Sequence, residues 1–220
     1  MYTGIVQSLC EVRAVADEPG LRRLTVRMGA LASGLDAGAS VAVNGTCLTV
    51  TGNKGTDVRF DVIRQTLETT NLGDVVRGAR VNVERSFRVG DEVGGHLLSG
   101  HVSGTATVVR VEEAPNERTL FLRAPEALTK YLSPKGFVAL DGASLTIAGL
   151  DRARSEAVVC LIPETIARTT LGTVRAGDRV NLEVDAQTQT IVDTVERLSA
   201  TDPVNAVSAA NRLLSTGDTN

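Results

Sequence analysis

The chain repeats itself. Val41-Ala-Val-Asn-Gly-Thr-Cys-Leu-Thr-Val50 returns as Val138-Ala-Leu-Asp-Gly-Ala-Ser-Leu-Thr-Ile147. Thr66-Leu-Glu-Thr-Thr-Asn-Leu-Gly73 returns as Thr165-Ile-Ala-Arg-Thr-Thr-Leu-Gly172, and Gly78-Ala-Arg-Val-Asn-Val-Glu84 as Gly177-Asp-Arg-Val-Asn-Leu-Glu183. At the start, Thr3-Gly-Ile-Val6 pairs with Ser99-Gly-His-Val102. Corresponding residues stand 96 to 99 positions apart, and the blocks keep their order. Whatever one unit folds into, the chain must therefore contain twice, and a unit of about 90 residues is large enough to be a small domain.

Within a unit the pattern is mostly strand. Each long apolar run is broken by Asn44-Gly45 or Asp141-Gly142, the two-residue turn that suits a hairpin. Leu24 to Arg27, Val58 to Val62, Val81 to Glu84, Ala106 to Val111 and Leu120 to Arg123 alternate as half-buried strands do. Short helical turns are expected at Gln65 to Leu72 and Glu164 to Leu171, each ended by a glycine, Gly73 or Gly172. Many short strands with frequent turns predict a small closed β-barrel, repeated. The period then changes over Gln187 to Ser199, where Ile191, Val192, Val195 and Leu198 make one helical stripe. So short a helix must dock on something, its own barrel or another chain. The expected layout is a first barrel over 1–95, a second over 96–186, a helix over 187–200 and a loose polar tail over 201–220.

Composition removes several function classes. Among 220 residues, 23 Lys+Arg face 26 Asp+Glu, and this mild acidity argues against non-specific nucleic-acid binding. No apolar run nears the roughly 20 residues of a membrane span. Met1 to Val6 lacks the basic start and apolar run of a signal peptide. Three widely spaced cysteines (Cys10, Cys47, Cys160) suggest a reduced, cytoplasmic chain rather than a disulfide framework. Aromatic residues are only 3% with no Trp, so the core must be Val, Leu, Ile and Ala. The same scarcity argues against a ring system held between aromatic plates.

The candidate chemistry is sparse. Gly90 to Gly100 lacks both the phosphate-loop ending and the dinucleotide spacing, and reads as a flexible connection between barrels. His96 and His101, with Asp91 and Glu92, fall short of a converging metal set, and no metal is expected. His101 replaces Ile5 of the first repeat, which marks an edge or a site. Cys47 and Ser144 hold equivalent places, and Thr49 and Thr146 share their faces two residues on. A lone strand cysteine is often a small core residue. The alternative is a short polar row on each barrel, able to hydrogen-bond a heterocycle edge. No elbow motif or ordered triad supports hydrolase chemistry.

Taken together, Met1-Tyr-Thr-Gly-Ile-Val6, Val43-Asn-Gly-Thr-Cys-Leu-Thr-Val50, Gly94-Gly-His-Leu-Leu-Ser-Gly-His101, Lys135 to Thr146 and Ile162-Pro-Glu-Thr165 resemble the riboflavin synthase family. The resemblance runs from Met1 to about Leu198. It implies two tandem homologous six-stranded Greek-key-type β-barrels plus a C-terminal α-helix, an all-β fold otherwise. It implies the cofactor-independent dismutation of two molecules of 6,7-dimethyl-8-ribityllumazine. One substrate gives four carbons to the other, yielding riboflavin and 5-amino-6-ribitylaminouracil. It further implies a homotrimer through the C-terminal helix, a site shared between neighbouring subunits, and association with lumazine synthase.

The resemblance also assigns residues. Ser144, His101, Cys47, Asp185 and Tyr2 would be the reactive set, with Tyr2 standing where the family usually has Phe. Gly4, Ile5 and Val6, Cys47, Leu48 and Thr49, and Asp61, Val62, Ile63, Arg64, Gln65 and Thr66 would line a first pocket. Gly100, His101 and Val102, Lys135, Ser144, Leu145 and Thr146, and Ile162, Pro163, Glu164, Thr165, Ile166 and Ala167 would line a second. The competing expectation is a non-catalytic relative that binds the same ligand.

Overall fold

In a computed structural model that describes residues 1–201, the duplication folds into two closed antiparallel barrels of six strands each. The tail expected at 201–220 lies, beyond Thr201, outside the described residues. The first barrel comprises β1 (Ser8–Glu18), β2 (Leu21–Arg27), β3 (Ser40–Val43), β4 (Thr46–Lys54), β5 (Asp57–Ile63) and β6 (Arg80–Arg85). They close in the order β1-β2-β5-β4-β3-β6. The second comprises β7 (Gly104–Ala114), β8 (Glu117–Arg123), β9 (Phe137–Leu140), β10 (Ala143–Asp151), β11 (Glu156–Leu161) and β12 (Arg179–Val184). Its order β7-β8-β11-β10-β9-β12 is the same circuit.

The repeated Asn-Gly and Asp-Gly pairs make the β3–β4 and β9–β10 hairpins. Asn44 and Gly45 have φ of 46° and 76°, Asp141 and Gly142 44° and 80°. Such paired left-handed residues twist a two-residue turn the way strands need. Alternation does the rest. Val12, Leu24, Val26, Val41, Val50, Val58, Phe60, Val81 and Val83 fill the first barrel. Phe60 is its only ring, since a barrel this narrow is filled by aliphatic side chains.

Two short helices follow β5 and β11, α1 (Arg64–Thr69) and α3 (Pro163–Arg168), and α2 (Glu126–Thr129) is a single turn. The expected longer turns stop early. Thr70 and Thr169 are extended, and each hydroxyl donates to the carbonyl four residues back, on Thr66 and Thr165, at 2.7 Å. Gly73 and Gly172 instead end separate 3-10 turns. Their need is space: a Cβ on Gly172 would lie 2.0 Å from the Ile166 carbonyl oxygen. A fourth helix, α4 (Ala186–Thr201), carries the apolar stripe; no helix among the described residues is long and apolar enough to cross a membrane.

The barrels meet about a local two-fold axis. The two hairpin turns touch backbone to backbone, and a Cβ on Gly45 would sit 2.6 Å from the Gly142 nitrogen. Around them the hydrogen bonds come in matched pairs. The Asn71 amide N–H donates to Asn181 Oδ1 (2.6 Å) and that of Thr170 to Asn82 Oδ1 (2.8 Å). Asn181 Nδ2 donates to the Asn44 carbonyl (2.7 Å) and Asn82 Nδ2 to that of Asp141 (2.9 Å). Buried and mutually satisfied, this network specifies one relative placement of the barrels.

Candidate functional site: two pockets with exchanged walls

Each barrel presents one pocket of about 260 Å³ beside its hairpin strand and short helix. One is walled by Ala143 and Ser144 of β10, by Ile162, and by Glu164, Thr165 and Arg168 of α3. Its remaining wall is Gly4, Ile5 and Val6, which come from the first repeat. The other is walled by Thr46 and Cys47 of β4, by Gln65, Thr66 and Thr69 of α1, and by Gly100, His101 and Val102 of the second repeat. The loops are exchanged. This corrects the expected grouping, which set Gly4 to Val6 beside Cys47 and Gly100 to Val102 beside Ser144.

The exchange is fastened by backbone. The Ser144 N–H donates to the Gly4 carbonyl at 2.8 Å, and the Cys47 N–H to the Gly100 carbonyl at 2.9 Å. Both glycines need their identity twice over. Their φ values are 75° and 79°, and a Cβ on Gly4 would come within 2.5 Å of Ser144 Cβ, one on Gly100 within 2.7 Å of Cys47 Cβ. The connecting segment is correspondingly less free than its glycines suggest. Leu98 and Tyr2 exchange both backbone hydrogen bonds at 2.9 Å and pack with Ala42 and Ala139 at the seam.

The two nucleophile-type side chains have different neighbours. Cys47 Sγ accepts a hydrogen bond from the Tyr2 hydroxyl at 3.1 Å, so the phenol finds its partner behind the pocket wall rather than in the pocket. Burial pushes the Tyr2 phenol well above its ordinary pKa, so it stays a donor. Ser144 Oγ lies 2.6 Å from His96 Nδ1. The His96 ring is 7% exposed and stacks on Phe137 with centroids 4.8 Å apart. Burial lowers its pKa, with the Asp185 charge opposing, so the neutral ring is favoured. With its hydrogen on Nε2, the neutral ring presents Nδ1 as an acceptor for the Ser144 hydroxyl. His96, expected only as a poor metal candidate, lines neither pocket but backs the pocket-wall residue Ser144, a contact that no sequence spacing signals.

A lumazine-binding domain model matches residues 3–86 and 99–185. The chain is 46% identical over 202 residues to riboflavin synthase of Escherichia coli (strain K12), covering 91% of this chain and 94% of that one. It is 43% identical over 201 residues to riboflavin synthase of Chlamydia pneumoniae, covering 91% and 98%. The chain belongs to the riboflavin synthase family. Among solved structures, LumP complexed with riboflavin superposes with a TM-score of 0.79 at 25% identity, over 84% of this chain and all of that one. LumP complexed with 6,7-dimethyl-8-(1'-D-ribityl) lumazine gives 0.75 at 25% identity, over 84% and 99%.

Other residues assigned from the riboflavin synthase family sit farther out. Leu48, Val62 and Leu145 turn inward and are buried. Asp61 holds Arg23 at 3.0 Å and Arg64 holds Glu68 at 2.7 Å. Thr49 and Thr146 continue the outer-face rows past Cys47 and Ser144 but line neither pocket. Lys135 is exposed with φ of 65°, and Ile63 and Ala167 are exposed as well. Pro163 and Ile166 face a separate groove beside Glu113 and Arg118. Asp185 is half-buried and near enough to His96 for its charge to act there.

Proposed function

We propose that the chain converts two molecules of 6,7-dimethyl-8-ribityllumazine into riboflavin and 5-amino-6-ribitylaminouracil. The observation that carries this reading is the pair of equal pockets, each built from a wall of its own barrel and an exchanged wall from the other repeat. A dismutation needs two identical rings held at once, and the two products together contain every atom of the two substrates. No oxidant or group donor enters the balance. Holding both rings in register turns a bimolecular step into an effectively intramolecular one, for which positioning supplies about 7–11 kcal/mol.

The roles of the rings differ, one giving four carbons and one taking them, so the pockets must differ too. Ser144 backed by His96 can pass a proton to and from the ring in its pocket. Cys47, turned toward the Tyr2 hydroxyl, serves as wall. The 7-methyl group must lose a proton, which a base near neutral pKa does best. His101, on the exchanged loop of the other pocket, and Asp185 remain the polar groups proposed to assist. Scarce aromatics fit this scheme, because two stacked substrate rings supply each other's faces.

At about 260 Å³ each pocket is smaller than the roughly 300–1,000 Å³ that usually buries a ligand. A second subunit would supply the missing surface. The stripe on α4 supports a homotrimer, since Ile191, Val195 and Leu198 are 64%, 57% and 62% exposed at a spacing of four and three. The same reading places the protein in the cytoplasm and allows it to associate with lumazine synthase. The deciding experiment adds dimethylribityllumazine alone to purified protein. Growth of the riboflavin absorbance is expected, and tight binding without turnover would identify a non-catalytic binder instead.

A further inference from the structure

Two buried carboxylates stand apart from the pockets yet hold their walls. Glu84, on β6 of the first barrel, is 4% exposed, and Glu183, on β12 of the second, is 5% exposed. Neither takes part in an ion pair among the described residues. Glu84 accepts from the Thr3 amide (2.6 Å), the Thr3 hydroxyl (2.8 Å) and the Gly4 amide (3.1 Å). Glu183 accepts from the Ser99 amide (2.8 Å), the Ser99 hydroxyl (2.8 Å) and the Gly100 amide (3.2 Å). The two sets use equivalent residues, Glu84 sharing the donors between both oxygens and Glu183 taking all three on Oε1. A carboxylate taking three donors from two consecutive residues clamps a loop more firmly than neutral partners could.

The clamped loops do not serve the barrel that clamps them. Gly4, held by Glu84 of the first barrel, receives the Ser144 amide of the second. Gly100, held by Glu183 of the second barrel, receives the Cys47 amide of the first. We propose that Glu84 and Glu183 are crossed positioning residues, each setting the pocket of the barrel to which it does not belong. The contact they control has no slack, since a Cβ at either glycine would fall 2.5–2.7 Å from the opposing strand's side chain. A small shift of either loop therefore changes the opposite pocket directly. The ligand consequence rests on the function proposed above, but the geometry does not.

The test reads amide hydrogen exchange at Ser144 and Cys47 in the full chain. Glu84→Gln and Thr3→Ala are expected to speed exchange at Ser144 roughly tenfold or more and leave Cys47 within about twofold. Glu183→Gln and Ser99→Ala should do the reverse. Should either glutamine variant fail to fold, the loop-side alanine variants still decide the matter. Equal acceleration at both amides, or acceleration confined to the glutamate's own barrel, overturns the proposal. A parallel titration with dimethylribityllumazine follows the amide shifts of Thr165 and Thr66, one in each pocket. Weaker binding at Thr165 in the Glu84 variant, with Thr66 unmoved, is the expected pattern. If the wild-type chain binds no lumazine, the proposed function falls, while the exchange result still settles the crossed roles.

Discussion

Ser144 and Cys47 hold equivalent places in the two repeats, and what distinguishes them is one neighbour each, an imidazole at 2.6 Å and a phenol at 3.1 Å. If His96 takes the Ser144 proton, His96→Ala should lower turnover about 100-fold while lumazine affinity stays within about threefold. Separate measurements of kcat and Kd check the split. The pH dependence has a definite sign. Protonating His96 removes Nδ1 as an acceptor, and burial lowers the imidazole pKa below its usual 6.5. Wild-type turnover should therefore persist through pH 6.5 and fall only in more acid solution, an acid limb that His96→Ala would lack. The equivalence of Cys47 and Ser144 is legible as soon as the repeats are aligned. The role of His96 is not, because its partner is 48 residues away in a strand of the second barrel and no spacing rule links them.

Elements were legible in proportion to how local their causes are. The hairpins follow from two residues, Asn44-Gly45 and Asp141-Gly142, whose backbone preferences suffice wherever they are placed. For the short helices, Gly73 and Gly172 look like helix stops and so predict longer helices than form. In the fold the helices end at Thr70 and Thr169, and the glycines answer to the closeness of Leu67 and Ile166 carbonyls. For α4 the sequence specifies the stripe but leaves its partner open. Removing residues 187–220 should convert a trimer into single chains with both barrels intact. Sedimentation of the truncated protein checks this, and an unchanged mass would contradict the proposed trimer.

At the scale of the whole molecule, the seam departs from its own symmetry where a charge is involved: Asp141 stands where the first repeat has Asn44. Its carboxylate is 2% exposed and accepts from the Asn181 amide (2.8 Å), Asn71 Nδ2 (2.9 Å) and the Thr170 hydroxyl (3.2 Å), with no cation among those partners. Burial outweighs these hydrogen bonds and pushes its pKa from 3.8 up to about 7. Because the folded chain holds this proton more tightly than the unfolded chain, the associated stability is full below pH 3.8 and is lost as pH rises through about 7. Glu84, also raised by burial, acts in the same direction. Asp141→Asn can keep the same partners without the charge. Its melting temperature should fall less than that of wild type between pH 5 and pH 8, by at least about 3 °C in thermal scans.

The sequence alone determined that there are two barrels, where their hairpins turn, which faces are apolar and which family the chain resembles. Periodicity, turn chemistry and duplication are all carried by neighbouring residues or by direct comparison of the two halves. Only the tertiary structure decided that the barrels trade loops, so that Gly4 meets Ser144, Gly100 meets Cys47, and a buried glutamate in each barrel fastens the wall of the other. Two similar repeats offer each loop two similar strands to sit on, and the local pattern of apolar and turn residues is shared by both. The choice is made by the matched hydrogen bonds and close glycine contacts at the seam, which exist only once the barrels have met.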